Sequence, residues 1–167
     1  MTPEEQNVFL SKEYAEAVRY MDNAEETLKR AEKQDYGYYR DEKYVRTACG
    51  TAYLGVLIAL DAWLLMKGAE FTGKKKQKSI DLYEYTIAGL DKKLLTLLKA
   101  AYSTLHLAGY YHGNTCISTI KDGFAAAYEI IEKIKPAVFV EAPDTRGGKI
   151  KRAWKSFMVS LAVTFKL

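Results

Sequence analysis

The chain has 167 residues, an apolar fraction of 49%, a charged fraction of 28% and a net charge of +4. That is the composition of a soluble globular domain with enough chain to bury a core without metal or disulfide. It excludes a disulfide framework, and the best apolar run, Ala52 to Met66 with Asp61 inside it, falls short of the ~20 residues needed to span a membrane.

The first element is a long helix. Thr2 can cap it, Pro3 suits the first turn, and Glu4 and Glu5 suit the positive end of the helix. Leu10, Tyr14, Ala17, Met21, Ala24, Leu28 and Ala31 then recur at steps of three and four, which keeps them on one face to about Lys33. Gln34 to Arg40, with Gly37, breaks the period and is dense in tyrosine. Asp41 caps a second helix reaching Lys67, whose apolar residues cover most of its circumference. Such a helix belongs at the centre, contacted from several sides. Gly50 and Gly55 weaken it by roughly 1 kcal/mol each relative to alanine, a cost that close backbone approach can offset.

Gly68 and Gly73 end that element, and Lys74, Lys75, Lys76 and Lys78 follow as a basic loop. Ser79 starts a short helix to about Ala88. A longer one runs from Leu90 to Tyr111, with Leu94, Leu98, Ala101, Leu105 and Ala108 as its stripe. Gly113-Asn114 is a stop and a turn. The next helix spans Thr115 to Lys135 with Ile117, Ile120, Phe124, Ala127, Ile131 and Ile134 inward, and Pro136 terminates it. Residues 137–148 read as a linker. Residues 149–167 carry an amphipathic pattern, Ile150, Trp154, Phe157 and Leu161, with Lys151, Arg152 and Lys155 off the stripe. Docking on the bundle is the default for such a segment, because short helices gain stability from packing.

The predicted architecture is therefore all-α: an antiparallel up-and-down bundle of four to five helices over residues 1–136, with an additional C-terminal amphipathic helix. Charge is uneven along it. Residues 1–40 carry nine acidic and six basic side chains, residues 144–167 one acidic and six basic. Basic patches attract phosphates, and equally they are ordinary solvated loops and tails.

Candidate chemistry is sparse. His106 and His112, the two histidines, are six residues apart, about 120 degrees around a helix, so they do not form the i, i+4 pair of a helix-borne metal site. No metal ligand set, phosphate loop or cofactor motif is present in the sequence. Cys49 and Cys116 have no CxxC spacing and read as buried free thiols of a reducing compartment. Asp61 is the sole acid between Leu54 and Met66. If buried it needs a tyrosine, His106 or a basic side chain beside it. Thirteen tyrosines are many for this length. Tyr38, Tyr39, Tyr44, Tyr53 and Tyr110, together with Asp61 and Trp154, are the candidate ligand or interface residues, since tyrosine joins a large apolar body to a hydroxyl.

A long first helix, then Arg46-Thr-Ala-Cys-Gly-Thr-Ala-Tyr-Leu-Gly-Val-Leu-Ile-Ala-Leu-Asp-Ala-Trp-Leu, then helices at Leu90–Tyr111 and Thr115–Lys135, resemble the HEPN-like superfamily over about residues 5–136. The chain also resembles uncharacterised small helical proteins of Bacteroidetes. The HEPN-like resemblance implies a dimer and, in active members, a metal-independent ribonuclease with an Arg-x4-6-His motif. Here Lys99 stands where that arginine would precede His106, and His112 has no basic residue in the window. Lysine supplies charge without arginine's planar fork.

The expectation is a cytoplasmic, non-enzymatic helical interaction protein, homodimeric or bound to another protein through its tyrosine-rich or C-terminal surface. Two alternatives remain open. One is an RNA-binding or RNA-cleaving domain with His106 as general acid or base, Lys99 on phosphate, and His112 and Tyr110 assisting. The other is a small-ligand pocket around Asp61 and Tyr53. The opening acidic turn is not the pattern of a signal peptide.

Overall fold

The computed structural model describes residues 1–69 and 78–137, and these form a predominantly helical bundle. The linker from residue 138, the 149–167 segment with Trp154, and most of the lysine cluster lie outside the described residues. Helix α1 (Pro3–Lys29) begins with a reciprocal cap: the Glu5 amide donates to Thr2 Oγ1 at 3.2 Å and the Thr2 amide to Glu5 Oε2 at 2.7 Å. Its predicted stripe faces inward, with Tyr14, Ala17, Met21 and Ala24 buried.

After α1 the chain turns through left-handed residues at Glu32, Tyr36 and Gly37. Two short strands, β1 (Lys33–Gln34) and β2 (Tyr38–Tyr39), pair antiparallel in the segment where the helical period breaks. Asp41 then caps α2 (Glu42–Met66) by accepting from the Lys43 amide at 2.9 Å. The helix ends in a Schellman motif: Gly68, at φ +68°, donates to Leu65 and Ala69 to Leu64.

Helix α2 is the centre of the bundle. It packs against α1, against α5 (Ile117–Glu132), and against the helix that follows α4. By length and composition α2 is apolar enough to cross a membrane; here more than half of its most apolar stretch is covered by protein. Gly55 lets α1 approach, since a Cβ there would stand 3.2 Å from the Ala17 carbonyl oxygen and from Tyr20 Cβ.

Ser79 caps α3 (Ile80–Ala88) and Asp91 caps α4 (Lys92–Ala101), each side chain accepting from an amide three residues on. The core joins Met21, Leu60, Leu64, Leu94, Leu98 and Leu105 to Ile120, Ile131 and Ile134, all fully buried. The α1–α5 seam is more polar. There the Tyr14 hydroxyl donates to Glu132 Oε1 at 3.1 Å, and the Tyr128 hydroxyl to Glu25.

Candidate functional site: an aromatic ladder on a π-helical segment

Helix α4 does not run on to Tyr111 as an α-helix. From Tyr102 to Tyr111 it is π-helical, and just beyond, the His112 amide donates to the Leu107 carbonyl at 2.9 Å, five residues back. The wider turn shifts the inward stripe by one position. Gly109 is buried, while Ala108, expected inward, is only half-buried. Gly109 has to be glycine, because a Cβ there would overlap the Cys49 side chain of α2. Long π segments are rare and frequently sit at functional sites.

The widened helix stacks its own rings. Tyr102 and His106 lie 5.2 Å apart at 19°, and His106 and Tyr110 5.8 Å apart at 28°. Tyr53 of α2 closes on His106 at 5.0 Å and on Tyr102 at 6.0 Å. Tyr110 lies over Gly50, where a Cβ would come within 3.0 Å of its ring. Burial, and then the neighbouring Tyr102 and Glu84, push the Tyr53 hydroxyl well above the usual tyrosine range, so it stays neutral.

Arg46 holds the open end of this ladder. Its Nη1 donates to the carbonyls of Tyr110 at 2.8 Å and Tyr111 at 2.6 Å, and its Nε to Glu42 Oε1 at 2.7 Å. A cation at the C-terminal carbonyls answers the negative end of the helix. The chain leaves through Gly113 at φ +67°, and a Cβ there would collide with Glu42 and Arg46.

The first turn of the molecule meets the same end. The Tyr39 amide donates to the Thr115 carbonyl at 2.8 Å, and Tyr38 bridges to Cys116. The tyrosine-dense turn at Tyr38 and Tyr39 therefore meets the chain just beyond the segment that carries Tyr110 and Tyr111. Tyr36, Tyr38, Tyr110 and Tyr111 are 96%, 45%, 48% and 66% exposed. Tyr39 is buried. The Tyr44 ring packs under the Arg30 guanidinium at 4.6 Å and its hydroxyl accepts from Arg30 at 3.0 Å. These two build the support, and the other four present the surface.

Cys116 departs from expectation. It is half-exposed at the N-cap of α5, with its Sγ 3.3 Å from Ser118 Oγ. Hydrogen bonds from Ser118, and then Thr119, pull its thiol down to about 7. Cys49 is buried as expected, and burial pushes its thiol up to about 12.

The remaining candidates separate. Asp61 is partly exposed and has two partners: Tyr83 donates to Oδ1 at 2.6 Å and Lys78 to Oδ2 at 2.5 Å. A tyrosine and a basic side chain were among the partners its position demanded. Asp61 lines a recess of about 370 Å³ with Phe9, Glu13, Ala62, Leu65, Ala69 and Lys78. Tyr53 is not among the residues that line this recess. Lys99 is paired with Glu84 of α3 at 3.5 Å. His112 is exposed beyond the ladder, edge-on to Tyr111 at 4.9 Å. Among the described residues no group of three or more His, Cys, Asp or Glu is placed to hold a metal ion.

Residues 12–136 match a family described as "Domain of unknown function (DUF5618)". The chain belongs to the DUF5618 family. A solved structure, a protein of unknown function from Dyadobacter fermentans, shares 38% identity over 74% of this chain and 94% of that chain, with a TM-score of 0.65. Dyadobacter is a member of the Bacteroidetes, the group whose small helical proteins the sequence resembles. No match was found among curated proteins. The DUF5618 segment takes in most of α1 and runs just past α5, so the ladder, Arg46 and the exposed tyrosines all lie within it.

Proposed function

We propose that this DUF5618 protein is a non-enzymatic interaction module of the cytoplasm that associates with a second copy of itself through its tyrosine-rich end. The carrying observation is that the turn with exposed Tyr36 and Tyr38 meets the chain just beyond the segment carrying exposed Tyr110 and Tyr111, whose carbonyls Arg46 holds. Tyrosine is enriched at interfaces because it brings large area for few rotatable bonds. Ring-on-ring contact is also self-complementary, as a two-fold interface requires. The adjoining Glu32–Arg40 pair at 3.0 Å gives the patch both signs of charge, which a symmetry mate can match.

Sedimentation equilibrium tests this. The parent should dimerise, and Tyr38→Ser with Tyr111→Ser should weaken the dimer about tenfold or more while the melting temperature holds. A parent that stays monomeric to high micromolar concentration overturns the reading.

One observation favours an RNA-contacting, HEPN-like alternative: the Tyr102–His106–Tyr110 stack opens to solvent at Tyr110, and aromatic platforms serve base stacking. Against cleavage chemistry, the Lys99 ammonium is engaged by Glu84. A labelled single-stranded RNA that binds the parent, and that is cut by it but not by His106→Ala, would favour this alternative.

A further inference from the structure

The recess beside Asp61 lies far from the tyrosine-rich end: along α2, Leu65 on its wall and Arg46 stand about 28 Å apart at 1.5 Å per residue. Its volume of about 370 Å³ is at the lower end of the range for small-molecule sites, which suits one ring with a short side chain. Phe9, Ala62, Leu65 and Ala69 make the lining mostly apolar, and Leu65 is left 44% exposed. Three charged groups join them: Glu13, Asp61 and Lys78. Asp61 is already matched, because Lys78 donates to one of its oxygens and Tyr83 to the other. Glu13 has no ion pair among the described residues. Two carboxylates and one ammonium leave the recess with a single net negative charge, and it resides on Glu13. Phe9 stands one turn before Glu13, so ring and carboxylate share a face of α1.

We infer that this recess binds a compact organic monocation, a primary ammonium carried on an aromatic body. The ammonium pairs with the Glu13 carboxylate in a charge-assisted hydrogen bond, and the adjacent Phe9 ring attracts the same cation. The body of the ligand covers Ala62, Leu65 and Ala69, taking their apolar surface out of water. The charges reject the other classes. An anion would need Lys78, whose ammonium Asp61 holds, and would meet Glu13 as a like charge. A neutral apolar ligand would use the lining but strip water from Glu13 without giving it a partner. All of these residues except Phe9 lie within the DUF5618 segment. The site makes no use of the tyrosine-rich end, so it stands whether or not the protein self-associates.

NMR titration of the full chain at pH 7 and low salt provides the test, with phenethylammonium, 2-phenylethanol and phenylacetate as probes of one shape and three charges. Phenethylammonium should give saturable shifts at the amides of residues 9–13 and 62–69, and bind about tenfold or more tightly than the alcohol or the carboxylate. Glu13→Gln should erase that preference and leave the three probes equal. Lys78→Gln, which removes the one positive charge, should tighten phenethylammonium by about threefold or more. Absence of saturation by about 10 mM overturns the inference. So does binding of the alcohol or the carboxylate as tight as that of the ammonium, or a preference for the ammonium that survives Glu13→Gln.

Discussion

Cys116 and Cys49 show how position alone sets the chemistry of one side-chain type. The first stands half-exposed at the start of α5 among hydroxyl and amide donors, and the second is sealed against Gly109. At pH 7.5, iodoacetamide should label Cys116 within minutes and leave Cys49 untouched until urea unfolds the chain, as read by peptide mass. The sequence reading, which buried both thiols, missed this because it starts the helix at Thr115, whereas α5 begins at Ile117 and leaves Cys116 outside it as the N-cap. Asp22 is the second residue with a readable consequence. Its Oδ1 is buried without a hydrogen-bond partner, and burial, then Glu25 and Glu26, push its carboxyl up to about 6, with Lys29 opposing. The folded-state value lies above the ordinary one, so the folded chain holds an extra proton between about pH 4 and 6 and loses stability as pH rises through that window. Asp22→Asn should therefore stabilise the protein by about 1–2 kcal/mol at pH 8, with the gain vanishing near pH 4. Urea midpoints at the two pH values check it; equal gains at both would show that the carboxyl titrates normally.

Among the elements, the α-helices were legible because their stripes repeat at 3.6 residues and their caps are written in the chain: Thr2 with Glu5, Asp41 and Ser79. The π-helical segment was not. Reading Leu105 and Ala108 as one face assumes an α-helical turn, and only the need to fit Gly109 against Cys49 reveals the wider one. The β1–β2 turn was hidden for a related reason: its two-residue strands are fixed by Thr115 and Cys116, far away in sequence. Tertiary contact, not local pattern, decides both. Arg46 is the clearest link between them, since it ties α2 to the carbonyls at the end of the ladder. Arg46→Gln should cost about 1–2 kcal/mol, the range for charge-assisted hydrogen bonds at a partly exposed site. The loss should be local as well as global, with amide exchange rising first at residues 107–112. Uniform acceleration along α1 and α5 as well would mean that Arg46 supports the whole bundle instead of capping one helix.

For the molecule as a whole, the question is whether ion pairs or packing sets stability. The ion pairs of the described residues leave their side chains between 22% and 71% exposed. Pairs this wet contribute about 0–1 kcal/mol each and fade as salt screens them. The most covered, Lys133–Asp91, links α5 to the cap of α4, and its lysine holds the Asp91 carboxyl below the usual range. Against these stand leucines and isoleucines with no exposed surface, among them Leu98 of α4 at 0%. Removing three carbons there leaves a cavity that a close-packed neighbourhood cannot fill, at a cost of about 2–5 kcal/mol. For a domain of this size, that lowers the melting temperature by roughly 5–20 °C. Raising NaCl from 0.05 to 0.5 M should move it by less than about 3 °C, because only screened pairs respond. Differential scanning calorimetry of the parent at both salt concentrations and of Leu98→Ala at one decides the matter. If salt shifts the transition as far as the truncation does, the network linking α3, α4 and α5 carries the stability assigned here to the buried leucines.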